Sequence, residues 1–124
     1  IGFIEDMHPI ILKAFNTTIG EITQADLILL LVDLTDDLPL LRRKLASINK
    51  ILRQVDATGK VMVCGNKIDR VSQERLEAAS NEIERYFQGV PLSQISALTG
   101  ENVDRLLDQI VSELREASVV KNLA

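Results

Sequence analysis

The chain has 124 residues, 46% of them hydrophobic, and a formal net charge of −4. These values predict one globular domain with its own core, and no apolar run approaches the roughly eighteen residues of a membrane-spanning helix. An acidic chain of this kind is not expected to bind nucleic acid through the phosphates, because such contacts require a basic face. The single cysteine, Cys64, excludes a disulfide within the chain and favours a reducing cytoplasm. We expect it to be a small buried hydrophobic residue.

The first half of the chain is predicted to form a helix, a strand and a second helix. The first helix is indicated by apolar residues at helical spacing, namely Ile11, Phe15, Ile19 and Ile22. The run from Leu27 to Asp33 is apolar until its last residue, which is typical of a strand buried on both faces of a parallel sheet. The stretch from Leu38 to Leu52 follows as a helix with one apolar face. Its cluster Arg42-Arg43-Lys44 lies opposite that face and is expected to be solvated.

The second half continues the alternation of strands and helices. Val61 to Gly65 and the weaker Leu92 to Ser96 are predicted as strands. Ser72 is the expected cap of a third helix, and a fourth carries the stripe Val103, Leu106, Leu107, Ile110, Val111 and Leu114. The order α-β-α-β-α-β-α predicts an α/β fold of three layers, α/β/α, around a parallel sheet. In such folds ligands bind at the carboxyl edge of the sheet.

Asn66-Lys67-Ile68-Asp69 lies where the second predicted strand ends. Guanine presents an N1–H and an exocyclic N2–H side by side, and one carboxylate, that of Asp69, accepts from both. Lys67 is expected to lay its alkyl stem along the base, and Asn66 to tie the loop to its neighbours. The pattern therefore predicts a guanine-reading loop, with a simple polar turn as the alternative.

A second motif, Ser96-Ala97-Leu98-Thr99-Gly100-Glu101-Asn102, follows the third predicted strand. The small Ala97 would let the main chain approach the base so that an N–H reaches guanine O6. Ser96 would steady the Asp69 loop by a hydrogen bond. Alone, this motif fits a turn followed by a helix cap better than a nucleotide site. Its position at the end of a strand, together with the first motif, favours nucleotide binding.

A phosphate-binding loop of the form G-x-x-x-x-G-K-[ST] does not occur in these 124 residues. Such a loop supplies the backbone amides and the lysine that hold nucleotide phosphates. The sequence also starts at Ile1-Gly2-Phe3, without an initiator methionine. We therefore expect residues 1–124 to form the second part of a nucleotide-binding domain that lacks its first strands.

The sequence resembles the HflX-like GTPases, a translation-associated branch of the P-loop GTPases. Ile1-Gly2-Phe3-Ile4 matches the end of that family's third GTPase motif, Asp-Thr-Val-Gly-Phe-Ile. Four further stretches resemble the family: Leu12 to Thr18 its switch helix, Ala25 to Ile28 with Val32-Asp33 its next strand, and Asn66 to Asp69 and Ser96 to Leu98 its guanine motifs. One departure is Met7-His8-Pro9, where relatives show Leu-Pro-His. We expect His8 to be a solvated residue before a helix that proline begins.

The resemblance implies a GTP-binding protein that hydrolyses GTP, with Mg²⁺ and its ligands outside this chain. Ile1 and Gly2 would begin the second switch, where the Gly2 amide donates to the γ-phosphate. The implied guanine contacts are Asn66, Lys67, Asp69, Ser96, Ala97 and Leu98. Phe3 stands where many GTPases carry a polar side chain that orients water, so intrinsic hydrolysis would be slow. The family also implies the large ribosomal subunit as a partner.

The chain by itself is expected to bind nucleotide weakly and to hydrolyse none, because phosphate contacts are the strongest that a nucleotide offers. The strand Leu27 to Val32 would pair with the phosphate-loop strand of a complete domain. Without that partner, its apolar edge is expected to favour self-association. The alternative is a free-standing, non-catalytic module that keeps a degenerate scaffold and binds a protein through its helices.

Overall fold

The computed structural model of the protein describes residues 9–55 and 58–123. Four helices and three strands alternate along these residues: α1 Pro9–Ile22, β1 Leu27–Asp33, α2 Leu38–Gln54, β2 Lys60–Asn66, α3 Gln73–Tyr86, β3 Leu92–Gln94 and α4 Val103–Leu123. A short 3₁₀ helix, Ile68–Arg70, lies between β2 and α3. The predicted order of elements is confirmed. None of the described helices is both long and apolar enough to span a membrane.

The three strands form one parallel sheet in the order β1-β2-β3. The register of the first pair runs from Leu27 opposite Lys60 to Asp33 opposite Asn66. Because the middle residues of both strands are apolar, each strand buries side chains on two faces of the sheet. This register places the last residues of β1 and β2 side by side at the carboxyl edge.

Helices pack on both faces of the sheet, which confirms the α/β/α arrangement. On one face β1, β2, α2 and α3 share a core that contains Ile28, Leu30, Val32, Leu41, Leu45, Ile48, Val63, Ala79 and Ile83. On the opposite face Met62 and Cys64 pack with Ile95 and with Leu106 of α4. Cys64 is fully buried, as expected, and burial raises the pKa of its thiol.

The amino-terminal ends of α2 and α3 are both capped by side chains. The Ser72 hydroxyl accepts a hydrogen bond from the Arg75 amide at 3.1 Å, so the predicted cap of α3 is confirmed. The Asp37 carboxylate caps α2 by accepting from the Leu40 amide at 2.9 Å. Such caps satisfy backbone N–H groups that have no partner within the helix.

The predicted ends of two strands were wrong by one or two residues. β2 is longer than expected, because Lys60 and Asn66 still pair with β1. β3 ends at Gln94 rather than Ser96. At Ser96 the backbone N–H donates to Glu101 O and the carbonyl accepts from Gly100 N, so the chain has already entered a turn. The shorter β3 leaves the whole second motif in a loop.

The structure adds detail to the predicted faces of α2 and α4. In α4 only part of the apolar stripe is buried, because a three-stranded sheet offers too narrow a surface for all of it. Its exposed members are Leu107 (53%), Val111 (46%) and Leu114 (39%). In α2 the basic cluster faces solvent as predicted, with Arg42 and Arg43 exposed. Arg42 also pairs with the buried Glu82 at 2.9 Å, and Lys44 pairs with Asp36 at 2.8 Å.

Candidate functional site

The loops that follow β2 and β3 meet at the carboxyl edge of the sheet. The β2–β3 ladder continues past the strands, because the Ile95 amide donates to Gly65 O at 2.8 Å and the Ile68 amide to Ile95 O at 3.1 Å. These two bonds fix the start of the second motif against the first. The structure therefore brings together the motifs that the sequence placed on separate strand ends.

Asn66 joins the two loops through its side chain. Its Oδ1 accepts a hydrogen bond from the Lys67 amide at 2.8 Å and from the Ala97 amide at 3.0 Å. The predicted role of Asn66 in tying the loop to its neighbours is confirmed. The Ala97 N–H, which we expect to reach guanine O6, is bonded to Asn66 in this structure. A base would have to compete with the Asn66 oxygen for it.

Ser96 is completely buried and links the second motif to Asp69. Its hydroxyl donates to Asp69 Oδ1 at 2.7 Å and accepts from the Thr99 amide at 3.1 Å. The hydrogen bond predicted between Ser96 and the Asp69 loop is therefore present. Asp69 itself is exposed. Because a carboxylate has about four acceptor positions, the hydroxyl of Ser96 leaves Asp69 able to accept from a ligand.

Lys67 adopts a left-handed backbone conformation with φ of 75°, which is uncommon for a residue with a side chain. Its ammonium Nζ lies 2.7 Å from Asp33 Oδ2, at the end of the neighbouring strand. Asp33 Oδ1 accepts from the Thr35 amide at 2.9 Å and from the Thr35 hydroxyl at 2.6 Å. Lys67 thus follows the end of β2 and is bonded through its side chain to the end of β1.

The environment of Asp33 keeps its carboxylate ionised. Partial burial alone would raise its pKa, but the hydrogen bonds from Lys67 and Thr35 and the positive charge of Lys67 outweigh burial and lower the pKa to about 2. Sequence reasoning placed Asp33 at a strand end but missed this contact. The available signal was that Asp33 and Asn66 both end apolar strands, and that a threonine two residues after an aspartate favours a local turn.

The remaining predicted site residues are exposed on the loop or lie outside the described residues. Leu98 lies at the loop surface with 85% of its area exposed. The loop turns back through Gly100 at φ 86° and Asn102 at φ 62°, and the side-chain Nδ2 of Asn102 donates to Gln94 O at 2.9 Å. Ile1 and Gly2, the predicted phosphate contacts, and Phe3 and His8 lie outside the described residues.

Comparison with known proteins identifies the family. Residues 14–116 match the family described as Elongation factor Tu GTP binding domain. The chain belongs to this family of GTP-binding domains. Its sequence is 33% identical to GTPase HflX of Methanocaldococcus jannaschii over 92% of the chain and 28% of that protein. It is 36% identical to GTPase HflX of Thermofilum pendens over 94% of the chain and 27% of that protein. The resemblance to the HflX-like GTPases is confirmed.

A solved structure shares the fold of this GTP-binding domain. The structure titled "crystal structure of SsGBP and GDP complex" aligns with a TM-score of 0.79 and 28% sequence identity. The alignment covers 95% of this chain and 38% of that one. The HflX-like chain spans just over a quarter of the length of the two curated relatives. Guanine nucleotide binding is thus supported by the family and by a structural neighbour.

Proposed function

We propose that this chain recognises the guanine base in a protein that hydrolyses GTP. The observation that carries the proposal is the contact between the two motifs, in which buried Ser96 holds Asp69 at 2.7 Å and Asn66 holds Ala97 at 3.0 Å. These bonds set an exposed carboxylate and a backbone amide into adjoining loops at one edge of the sheet. Guanine offers the complementary groups, two N–H donors and the O6 acceptor, along one side of its ring.

Each motif residue has a distinct proposed role. The Asp69 carboxylate accepts from the guanine N1–H and N2–H, and the Ala97 amide transfers its hydrogen bond from Asn66 Oδ1 to O6. Lys67 covers one face of the base with its alkyl stem. Leu98, whose side chain is exposed, contacts the base from the loop tip. Adenine lacks both the paired donors and the O6 acceptor, so it would leave these groups unpaired.

We further propose that residues 1–124 are the carboxyl-terminal part of a longer G domain. The strand order supports this, because within residues 9–55 and 58–123 β1 lies at the edge of the sheet and pairs with β2 alone. Ile1 and Gly2 would contact the γ-phosphate. In residues 9–55 and 58–123 no group of three or more His, Cys, Asp or Glu side chains could hold a metal. The family resemblance is the support for placing the proposed Mg²⁺ ligands outside this chain.

The longer protein would convert GTP to GDP and phosphate in the cytoplasm, in association with the large ribosomal subunit. The support for the ribosome is the family resemblance. The chain alone should show no GTP turnover, because the described residues include no loop that binds phosphates. Steady release of phosphate from GTP by the purified 124-residue chain would refute this part of the proposal.

The base preference is testable with the chain as it exists. Titration with GDP and with ADP to millimolar concentration, followed by amide NMR, should move the Lys67 and Ala97 signals with GDP only. Asp69→Asn should weaken GDP by about 10- to 100-fold and favour xanthosine diphosphate, which carries an oxygen in place of the exocyclic amine. Asp108→Asn, at an exposed position on α4, is the matched control. An unchanged GDP preference in Asp69→Asn would remove Asp69 from the site.

A free-standing interaction module is the second candidate. The observation in its favour is the exposed apolar stripe on α4, formed by Leu107, Val111 and Leu114. Unpaired β1 edges could also join two copies of the chain. Light scattering tests whether copies of the chain self-associate. A monodisperse monomer at high concentration contradicts self-association. Absence of any GDP preference would favour the module over the guanine site.

A further inference from the structure

Asp33 lies outside the two guanine motifs, yet it contacts the lysine of the first one. It ends β1, and the parallel register places it directly opposite Asn66. The Leu34 amide continues the pairing by donating to Asn66 O at 3.1 Å. The backbone around Asp33 is therefore fixed against the start of the guanine loop.

The Asp33 carboxylate is also oriented by its own turn. The Thr35 amide and hydroxyl both bind Oδ1, which directs Oδ2 towards Lys67. The pair is open to solvent, with 41% of the Lys67 side chain and 31% of the Asp33 side chain exposed. An ion pair at such a position adds little stability. Its geometry instead restricts where a long, flexible side chain lies next to the base-binding loop.

We propose that Asp33 is a positioning residue of the guanine site, which holds the Lys67 side chain extended before nucleotide arrives. This inference rests on the proposed function. A free lysine loses rotamer freedom when its stem packs on a base, and that loss weakens binding. With Nζ tied to Asp33 and the backbone already in a left-handed conformation, part of this loss occurs on folding. Thr35 assists by keeping the carboxylate turned towards Lys67.

The role predicts a base-independent effect, unlike that of Asp69. Asp33→Ala should weaken GDP and inosine diphosphate by the same factor, about three- to tenfold. Inosine lacks the exocyclic amine that Asp69 reads, so Asp69→Asn should change the ratio of the two affinities and Asp33→Ala should not. The matched control is Asp36→Ala, three residues after Asp33, which removes the ion-pair partner of Lys44. It should leave the affinities for both nucleotides unchanged.

A double-mutant cycle tests whether Asp33 acts through Lys67. Lys67→Met keeps an unbranched apolar stem but cannot pair with a carboxylate. Asp33→Ala should therefore add no loss of GDP affinity in the Lys67→Met background. Asp33→Asn, which keeps an acceptor for Thr35, serves as the second variant if Asp33→Ala unfolds. Full additivity of the two substitutions would overturn the positioning role.

A chemical measurement without nucleotide completes the test. The rate of Lys67 acetylation, read by mass spectrometry against Lys13 of the same chain, should rise about two- to fivefold in Asp33→Ala. Equal rates in the two proteins would overturn the inference even if GDP binds. Failure of the unaltered chain to prefer GDP over ADP would overturn the proposed function, and with it any role of Asp33 in guanine binding. The acetylation rates would still decide whether Asp33 holds Lys67.

Discussion

Gly65 is the residue before Asn66, and a methyl group at this position should disturb both the core and the guanine loop. A Cβ built on Gly65 would lie 2.9 Å from Leu34 Cδ2, 3.0 Å from Cδ1 and 3.1 Å from Cγ. Carbon atoms in favourable contact are about 3.5–4.0 Å apart. Leu34 is only 1% exposed, so its side chain has little space into which to move.

The cost of Gly65→Ala follows from this overlap. Overpacking a well-packed core by one methyl group costs about 1–3 kcal/mol. For a domain of this size, a loss of about 2 kcal/mol lowers the urea midpoint of unfolding by roughly 1 M. The measurement is equilibrium unfolding in urea, followed by circular dichroism. Gly20→Ala is the control, because a Cβ built on Gly20 has nothing within 4 Å and alanine favours a helix.

A second substitution separates the side-chain clash from other effects. Leu34→Ala removes the three atoms that the new methyl group meets, although it is itself destabilising by about 2–5 kcal/mol. In that background Gly65→Ala should cost little or even stabilise, because its methyl group occupies the space left by Leu34. An equal cost of Gly65→Ala in both backgrounds would refute the reasoning, and so would an unchanged urea midpoint in the single variant.

Three further predictions concern hydrogen bonds and charges. Ser96→Ala should lower the free energy of unfolding by about 1–3 kcal/mol, measured by denaturant titration, because it removes a fully buried hydroxyl bonded to Asp69. The folded-state pKa of Asp33, about 2, lies below its ordinary 3.8, so its stabilising contribution is complete above about pH 4 and is lost as pH falls towards 2. Because the carboxylate is partly exposed, this contribution is about 1 kcal/mol, and Asp33→Asn should flatten that part of the stability-against-pH curve; parallel curves would contradict the assignment. Arg42→Ala should destabilise the contact between α2 and α3, because it leaves the buried Glu82 carboxylate without the partner on α2. The hydrogen bond from Arg42 is the main cause of the lowered pKa of Glu82. Thermal unfolding should show partial recovery when Glu82→Leu is added, and a further loss would refute this account.

Much of the fold was predictable because the sequence pattern is strong. The run from Leu27 to Val32 is apolar at every position, which is typical of a parallel strand whose side chains pack on both faces of its sheet. Alternation with amphipathic helices then predicts where the strand ends lie. The end of β3 was harder to predict, because the Ser96 backbone leaves the strand ladder and bonds to Glu101. The apolar stripe of α4 did not reveal how much of the helix the sheet would cover.

The candidate site was predictable to a similar degree. The residue types in Asn66 to Asp69 carry their own chemistry, and the hydrogen bond from Ser96 to Asp69 followed from the motif. The hydrogen bond of the Ala97 amide to Asn66 did not, because a backbone N–H finds its partner only when both loops are in place. The base contacts of these residues remain predictions.

The sequence by itself determined the order of elements, the parallel sheet and the presence of two motifs at strand ends, because periodicity and side-chain chemistry are local properties. Tertiary structure alone decided which groups meet there. Lys67 and Asp33 are 34 residues apart, and Gly65 lies against Leu34, the residue that follows β1. Both contacts depend on the register of β1 against β2, which is set by burying the two faces of the sheet together and is not encoded in either segment alone.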